Sequence, residues 1–180
     1  MTHALVVGGT GMLRPVSLYL AAKYNKVSVV AMSDRLDSLV SESDKINPIR
    51  VDYCNTAVLD SALQAATNEF GRFDIAVIWV HLKKAPEAPY VIAKYVSGRY
   101  IHLLPSWTAD PAKENQKLQK ERHKRFEEIK NLNYQEIILG WQGSRWLHND
   151  EISAGTIYAI EHPKQKQVIG TVEPWSAKPL

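Results

Sequence analysis

The chain alternates short, continuously apolar runs with longer segments whose apolar residues recur at helical spacing. The most apolar run is Phe73-Asp74-Ile75-Ala76-Val77-Ile78-Trp79-Val80. A strand this apolar needs both faces covered, which is the situation of a parallel sheet with helices on either side. Seven strands are predicted, at 3–7, 27–31, 46–51, 73–80, 99–104, 135–139 and 167–172. Six helical segments fall between them, at 12–23, 36–40, about 58–70, 89–97, 113–132 and 150–160. Leu13, Val16, Leu20 and Ala21 mark the first helix, and Leu59, Leu63 and Ala66 lie on the stripe of the third. Strand–helix–strand repeats with right-handed crossovers give an α/β fold, a doubly wound parallel sheet of about seven strands. No repeat, low-complexity stretch or linker divides the 180 residues, so 1–180 reads as a single compact domain.

Between the first strand and the first helix lies Gly8-Gly9-Thr10-Gly11-Met12-Leu13-Arg14. Its placement carries the argument. A glycine-rich turn at that point sets backbone N–H groups and a helix N-terminus against a pyrophosphate. Gly8 suits the tight turn, and Gly11 leaves room for phosphates beside the backbone. This is the pattern of a dinucleotide-binding Rossmann fold. The bland alternative is a tight strand–helix turn that only needs glycine.

The stretch Val6-Val7-Gly8-Gly9-Thr10-Gly11-Met12-Leu13 resembles the cofactor motif of the short-chain dehydrogenase/reductase superfamily, including its atypical NAD(P)-binding members. Gly8 and Gly11 match a Gly-x-x-Gly-x-x-Gly spacing, with Arg14 where the third glycine would stand. The resemblance implies that Asp52, closing strand three beside Tyr53, bonds the adenine. It places Trp79, Val80 and His81 where the family has Asn-Asn-Ala-Gly, and Ser106 where it has a catalytic serine. It implies cofactor contacts from Gly8, Gly9, Thr10, Gly11, Met12, Leu13 and Arg14, then Ser33, Arg35, Asp52, Tyr53, Trp79, Val80 and His81.

Strand two ends Ala31-Met32-Ser33, without the acid that would bind ribose hydroxyls and repel a 2′-phosphate. Arg14, Ser33 and Arg35 offer charge-assisted bonds to such a phosphate, so NADP(H) is favoured over NAD(H). Asp34 as a ribose ligand argues the other way, and Ser33 or Asp34 also suits a helix cap.

The family's Tyr-x-x-x-Lys pair appears as Tyr90-Val91-Ile92-Ala93-Lys94, one element too early: it follows strand four, not strand five and Ser106. Four-residue spacing puts both side chains on one helix face. Candidate catalytic residues are therefore Ser106, His81, Tyr90 and Lys94, each with a structural alternative. Two functions stand. One is an NADP(H)-dependent oxidoreductase acting on a small carbonyl or hydroxyl substrate. The other is a non-catalytic NADP(H)-binding redox sensor or regulatory protein. Trp141 and Trp146 either line a small apolar pocket or pack on the sheet edge.

Composition excludes other classes. A net charge of +3 with no basic stripe argues against nucleic acid. No run approaches a membrane span, and no signal peptide opens the chain. The single cysteine, Cys54, rules out an internal disulfide and suits a reducing compartment, so a cytoplasmic location is expected. No metal is expected, because the six histidines are scattered and lack ligand spacing. The helix over 113–132 reads as a solvated, ion-paired surface with Leu118, Phe126 and Ile129 inward. A homodimer is a possible assembly, since family members often pair through helices four and five.

Overall fold

The computed structural model describes residues 1–179. The chain runs β1 (His3–Val7), α1 (Arg14–Lys23), β2 (Lys26–Val30), α2 (Arg35–Glu42), β3 (Ile46–Ile49), α3 (Thr56–Phe70), β4 (Phe73–Ile78), α4 (Ala88–Ala93) and β5 (Val96–Pro105). It continues through a 3₁₀ turn at Ser106–Ala109, α5 (Lys113–Glu127), β6 (Asn133–Leu139), β7 (Trp141–Gln142), β8 (Arg145–Trp146), α6 (Asn149–Glu161) and β9 (Lys166–Ile169). Seven strands form one sheet in the order β3-β2-β1-β4-β5-β6-β9, all parallel.

The chain moves outward from β1 to β3, then crosses back to lay β4 on the other side of β1. That reversal is the switch point where open α/β sheets hold ligands, at the carboxyl ends of the strands. Alternation along β1 shows how the layers form. Ala4 and Val6 pack with Val16 and Leu20 of α1, Leu36 of α2 and Ile152 of α6. Leu5 and Val7 face Leu59 and Leu63 of α3 and join the layer under α4 and α5. All four β1 side chains are fully buried, as a doubly covered parallel strand requires.

The expected elements are present with shifted ends. Helix α1 starts at Arg14, because residues 9–13 are spent on the turn. Helix α4 has only six residues, since β5 begins at Val96 rather than 99. Helix α5 ends at Glu127, and Asn131 at φ 61° turns the chain into β6. Strand β9 ends at Ile169, where Gly170 takes φ 76° and Thr171 forms an antiparallel bridge with Trp141. The β7–β8 hairpin was not expected; it is too short to show a period, and Gly143 at φ 59° makes its turn.

The inward stripe of α5 also differs. Leu118 is 46% exposed, while Arg122 is buried beside Phe126. Arg122 Nε donates to Glu136 Oε1 of β6 at 2.9 Å, and Tyr134 Oη donates to the same oxygen at 2.9 Å. Tyr134 has one hydroxyl proton, so the His102 Nδ1 at 3.1 Å donates to its oxygen. Burial raises the Glu136 pKa, but Arg122 and His123 outweigh burial and hold it below the usual range. For His102, burial and then Arg122 lower the pKa to about 3.

Unfolding frees His102 to titrate near 6.5, so the unfolded chain takes up a proton that the folded chain refuses down to about pH 3. This contribution is full above pH 6.5 and is lost as pH falls below it. His102→Asn should flatten the loss of urea-unfolding free energy in acid by about 1.4 kcal/mol per pH unit, once the unfolded-state histidine is fully charged. Equal slopes in the two proteins would refute the buried, neutral imidazole.

Candidate nucleotide site

The last rungs of the ladder open the site. Val7 pairs with Val30 on one side and Ile78 on the other. One residue later Gly8 N–H still reaches Val30 O at 3.0 Å, and Trp79 N–H reaches Val7 O at 3.1 Å. Beyond that point the strands part. Gly8 turns the chain at φ 80°, a left-handed conformation that side chains resist, and a Cβ there would stand 3.2 Å from Trp79 O.

The next five residues, Gly9 to Leu13, direct N–H groups to no acceptor among the described residues, and Arg14 N–H closes onto Gly11 O at 3.0 Å. Helix α1 has no acidic residue in its first turn and no side-chain cap. Thus a cluster of unspent donors coincides with the positive end of a helix dipole. Gly11 is exposed, and a Cβ on it would meet nothing within 4 Å. The turn has the donors and the room that a pyrophosphate needs.

In a Gly-x-x-Gly-x-x-Gly turn the third glycine allows close packing of helix on strand; here Arg14 stands in that place and Gly9 takes the role. A Cβ on Gly9 would lie 2.5 Å from Ser17 Oγ, 2.8 Å from Val29 Cγ1 and 2.9 Å from Val6 Cγ1. The close helix–sheet approach is therefore made at Gly9, and Ser17 Oγ donates to Gly9 O at 3.0 Å. Thr10 is 7% exposed, and Leu13 is wholly buried in the core. Leu13 can offer a ligand only its backbone. Met12 is half-buried, and its carbonyl accepts from Ser153 Oγ of α6.

Arg14 does not stand free beside the turn. Its guanidinium is drawn onto α2, donating to Glu42 and, at 3.2 Å, to Ser38 Oγ. These lie past the start of α2, where Ser33 and Arg35 sit. Arg35 makes no ion pair among the described residues. Its N–H donates to Ser33 Oγ at 3.2 Å. Arg50, which sequence reasoning missed, reaches the same corner from the end of β3. It donates to Asp37 Oδ1 at 2.6 Å and to Ser33 O at 3.4 Å, with Asp34 at 3.8 Å. Nothing in its sequence context marks Arg50, because Asp34 and Asp37 meet it only once β3 folds back beside the start of α2.

Asp52 is exposed beyond β3, with Oδ1 accepting from Cys54 N–H at 2.9 Å. Desolvation and Asp52 raise the Cys54 thiol, which opposes a reactive thiolate. Tyr53 Oη accepts from His81 N–H at 3.4 Å, tying the loops after β3 and β4 together. Trp79 is half-buried and lies against Gly8, its Cδ1 3.5 Å from the position of a Gly8 Cβ. Val80 is fully buried, while His81 is exposed with its ring 5.9 Å from that of Trp79. Ser106 opens the 3₁₀ turn after β5, half-buried, between two residues that line a groove with Trp79 and His81.

Tyr90 and Lys94 do not form a pair. Tyr90 is packed against Phe126 with ring centroids 4.9 Å apart, and Arg125 lies 3.3 Å over its ring. Burial raises its pKa, the reverse of what a proton donor at neutral pH needs. Lys94 ends α4 and points to Asp60 Oδ1 at 3.8 Å. Its carbonyl accepts from Arg72, just before β4, so Lys94 lies at the amino edge of the sheet, opposite the crevice. Trp141 is buried, in edge contact with Trp146 and Trp175, and Trp146 is 44% exposed. Sheet-edge packing is thus the role of Trp141. Among the described residues no cluster of metal-binding side chains occurs, and no helix is long and apolar enough to cross a membrane.

No protein-family profile matches the chain, and no curated protein matches it in sequence. Solved structures do match. An apo SCOR enzyme of Clostridium thermocellum superposes with a TM-score of 0.72 at 14% identity, covering 94% of this chain and 90% of that one. A metagenomic short-chain oxidoreductase solved with NADP gives 0.70 at 12% identity, covering 94% and 97%. A mutant short-chain dehydrogenase/reductase of Serratia marcescens gives 0.68 at 15% identity, covering 93% and 95%. The chain has the fold of the short-chain dehydrogenase/reductases, a seven-stranded Rossmann-type sheet.

Two glycine variants separate folding from binding. Gly9→Ala forces a Cβ into Ser17, Val6 and Val29 and should cost about 1–3 kcal/mol in urea unfolding. Gly11→Asp meets no atom, and its negative charge suits the start of α1, so stability should hold or rise. The same charge should weaken NADPH binding by about tenfold or more in calorimetry, by repelling the pyrophosphate. Unchanged affinity in Gly11→Asp would remove the turn from the binding site.

Proposed function

We propose that this protein binds NADP(H) at the β1–α1 turn and acts as an oxidoreductase on a small carbonyl or hydroxyl substrate. The observation that carries the reading is the set of unspent N–H donors from Gly9 to Leu13 at the start of an uncapped helix. These donors hold the pyrophosphate. Ser33 and Arg35 take the adenosine 2′-phosphate, and Arg50 steadies that corner through Asp37 and the Ser33 carbonyl. Asp52, with one oxygen left over from its own turn, accepts from the adenine amine.

When bound, the nicotinamide would supply hydride exchange at its C4. The protein's part is to position and to handle the proton. Ser106 and His81, on loops bordering one groove, orient the substrate oxygen. His81, exposed beside the groove, exchanges the proton with solvent. In carbonyl reduction the carbon gains the hydride and the oxygen gains that proton. The lone exposed Cys54 is consistent with work in a reducing compartment.

The second reading, a non-catalytic NADP(H) sensor, is favoured by one observation: Tyr90 and Lys94 are committed to Phe126 and Asp60 and build no proton-donating pair. Titration with NADPH and NADH, followed by calorimetry and tryptophan fluorescence, tests both. NADPH should bind about tenfold or more tightly than NADH, and Arg35→Glu should abolish that preference. Loss of NADPH consumption in His81→Ala, with binding kept, supports the oxidoreductase. Binding without turnover of any carbonyl supports the sensor. No binding of either nucleotide at millimolar concentration overturns both.

A further inference from the structure

The groove beside the crevice shares Trp79, Val80 and His81 with the expected cofactor contacts and adds Leu82, Lys83, Lys84, Pro105 and Trp107, which cofactor binding does not use. Its walls are apolar, formed by Trp79, Val80, Leu82, Pro105 and Trp107, and the groove, open on one side, has a volume of about 270 Å³. Lys83 and Lys84 also line it. The turn that carries them is tight: Lys84 N–H and Ala85 N–H both donate to His81 O, at 2.8 and 2.9 Å. Lys83 Nζ lies 5.5 Å from the centroid of the Trp107 ring, within cation–π range, so its charge is held over the groove. Neither lysine has a carboxylate within 4.0 Å among the described residues.

Two lysines adjacent in sequence, neither paired with a carboxylate, give this apolar groove a positive border that attracts an anion. The apolar walls weaken the screening of that attraction by water. The walls in turn favour a flat, apolar body that can lie against indole rings. The volume sits near the lower end of small-molecule sites and admits one ring or a fused pair.

We infer that this groove is the substrate site and takes a small aromatic carboxylate, ring against Trp79 and Trp107 and carboxylate on Lys83 and Lys84. The inference deepens the oxidoreductase reading above and rests on it for the word substrate, but the binding chemistry stands alone. The carboxylate is the anchor and does not react. The carbonyl or hydroxyl group would lie toward Ser106 and His81.

The test uses the full chain with benzoate and indole-3-carboxylate as probes, and benzamide as the uncharged control. Binding is followed by the indole N–H signals of the five tryptophans in nitrogen-15 NMR, assigned with Trp79→Phe and Trp107→Phe. The carboxylates should shift the Trp79 and Trp107 signals saturably, and benzamide should bind about tenfold more weakly. The double variant Lys83→Met/Lys84→Met should lose about tenfold in benzoate affinity and keep its NADPH affinity. Equal binding of benzamide, an unaffected double variant, or displacement of benzoate by NADPH overturns the inference. NADPH is titrated into the same samples, so the two claims fail separately. NADPH binding without carboxylate binding refutes the groove alone. Carboxylate binding without NADPH binding refutes the cofactor reading and supports the groove.

Discussion

Strand β1 is held on both sides and covered on both faces, and the rest of the molecule is arranged around it. Its backbone pairs with β2 and β4 in parallel register up to Val7. Its side chains are wholly inside. While the ladder lasts, every donor is satisfied. Where it ends, Gly8 turns at φ 80° and the donors of the next five residues are released together. These donors sit at the start of a helix with no side-chain cap and no acidic residue in its first turn. The strand that anchors the core ends at the loop for which phosphate binding is proposed.

The same logic runs through the opposite layer, where α5 meets β5 and β6. The helix carries charge around most of its surface, yet Arg122 turns inward to Glu136. An ion pair 10% and 2% exposed needs accurate geometry to offset desolvation. The geometry comes from Tyr134 and His102, which occupy neighbouring rungs and complete the hydrogen-bond chain. Phe126 stacks on Tyr134 with centroids 4.0 Å apart and seals the cluster. This layer therefore holds a charged centre, whereas the buried polar groups at β1, His3 with Ser28 of β2, form a smaller hydrogen-bonded pair at 2.8 Å.

Much of the site was legible as placement. The glycine turn, Ser33, Arg35, Asp52 and the loop after β4 all fall on the carboxyl edge, because strand order and direction put them there. What could not be read was where long side chains end. Arg14 looked like a phosphate ligand by its position, but its guanidinium finds Glu42, 28 residues on. Tyr90 and Lys94 share a helix face by spacing, yet Tyr90 packs against Phe126 of α5 and Lys94 caps the far end of α4 beside Asp60. Lys83, Lys84 and Trp107 gave no periodic or motif signal, since two short loops from different strands assemble their groove.

By itself, then, the sequence determined the alternation of strands and helices, the parallel sheet and the identity of the turn at its centre. These depend on local periodicity and on glycine, which act over a few residues. Only the tertiary structure decided which charges are spent and which are free. It gave Arg14 to Glu42 and Arg122 to Glu136, left Arg35, Lys83 and Lys84 without carboxylates, and moved the close packing from the third glycine's place to Gly9. The reason is physical: a side chain pairs with whatever lies within a few ångströms, and in a doubly wound sheet those neighbours come from elements far apart in the chain.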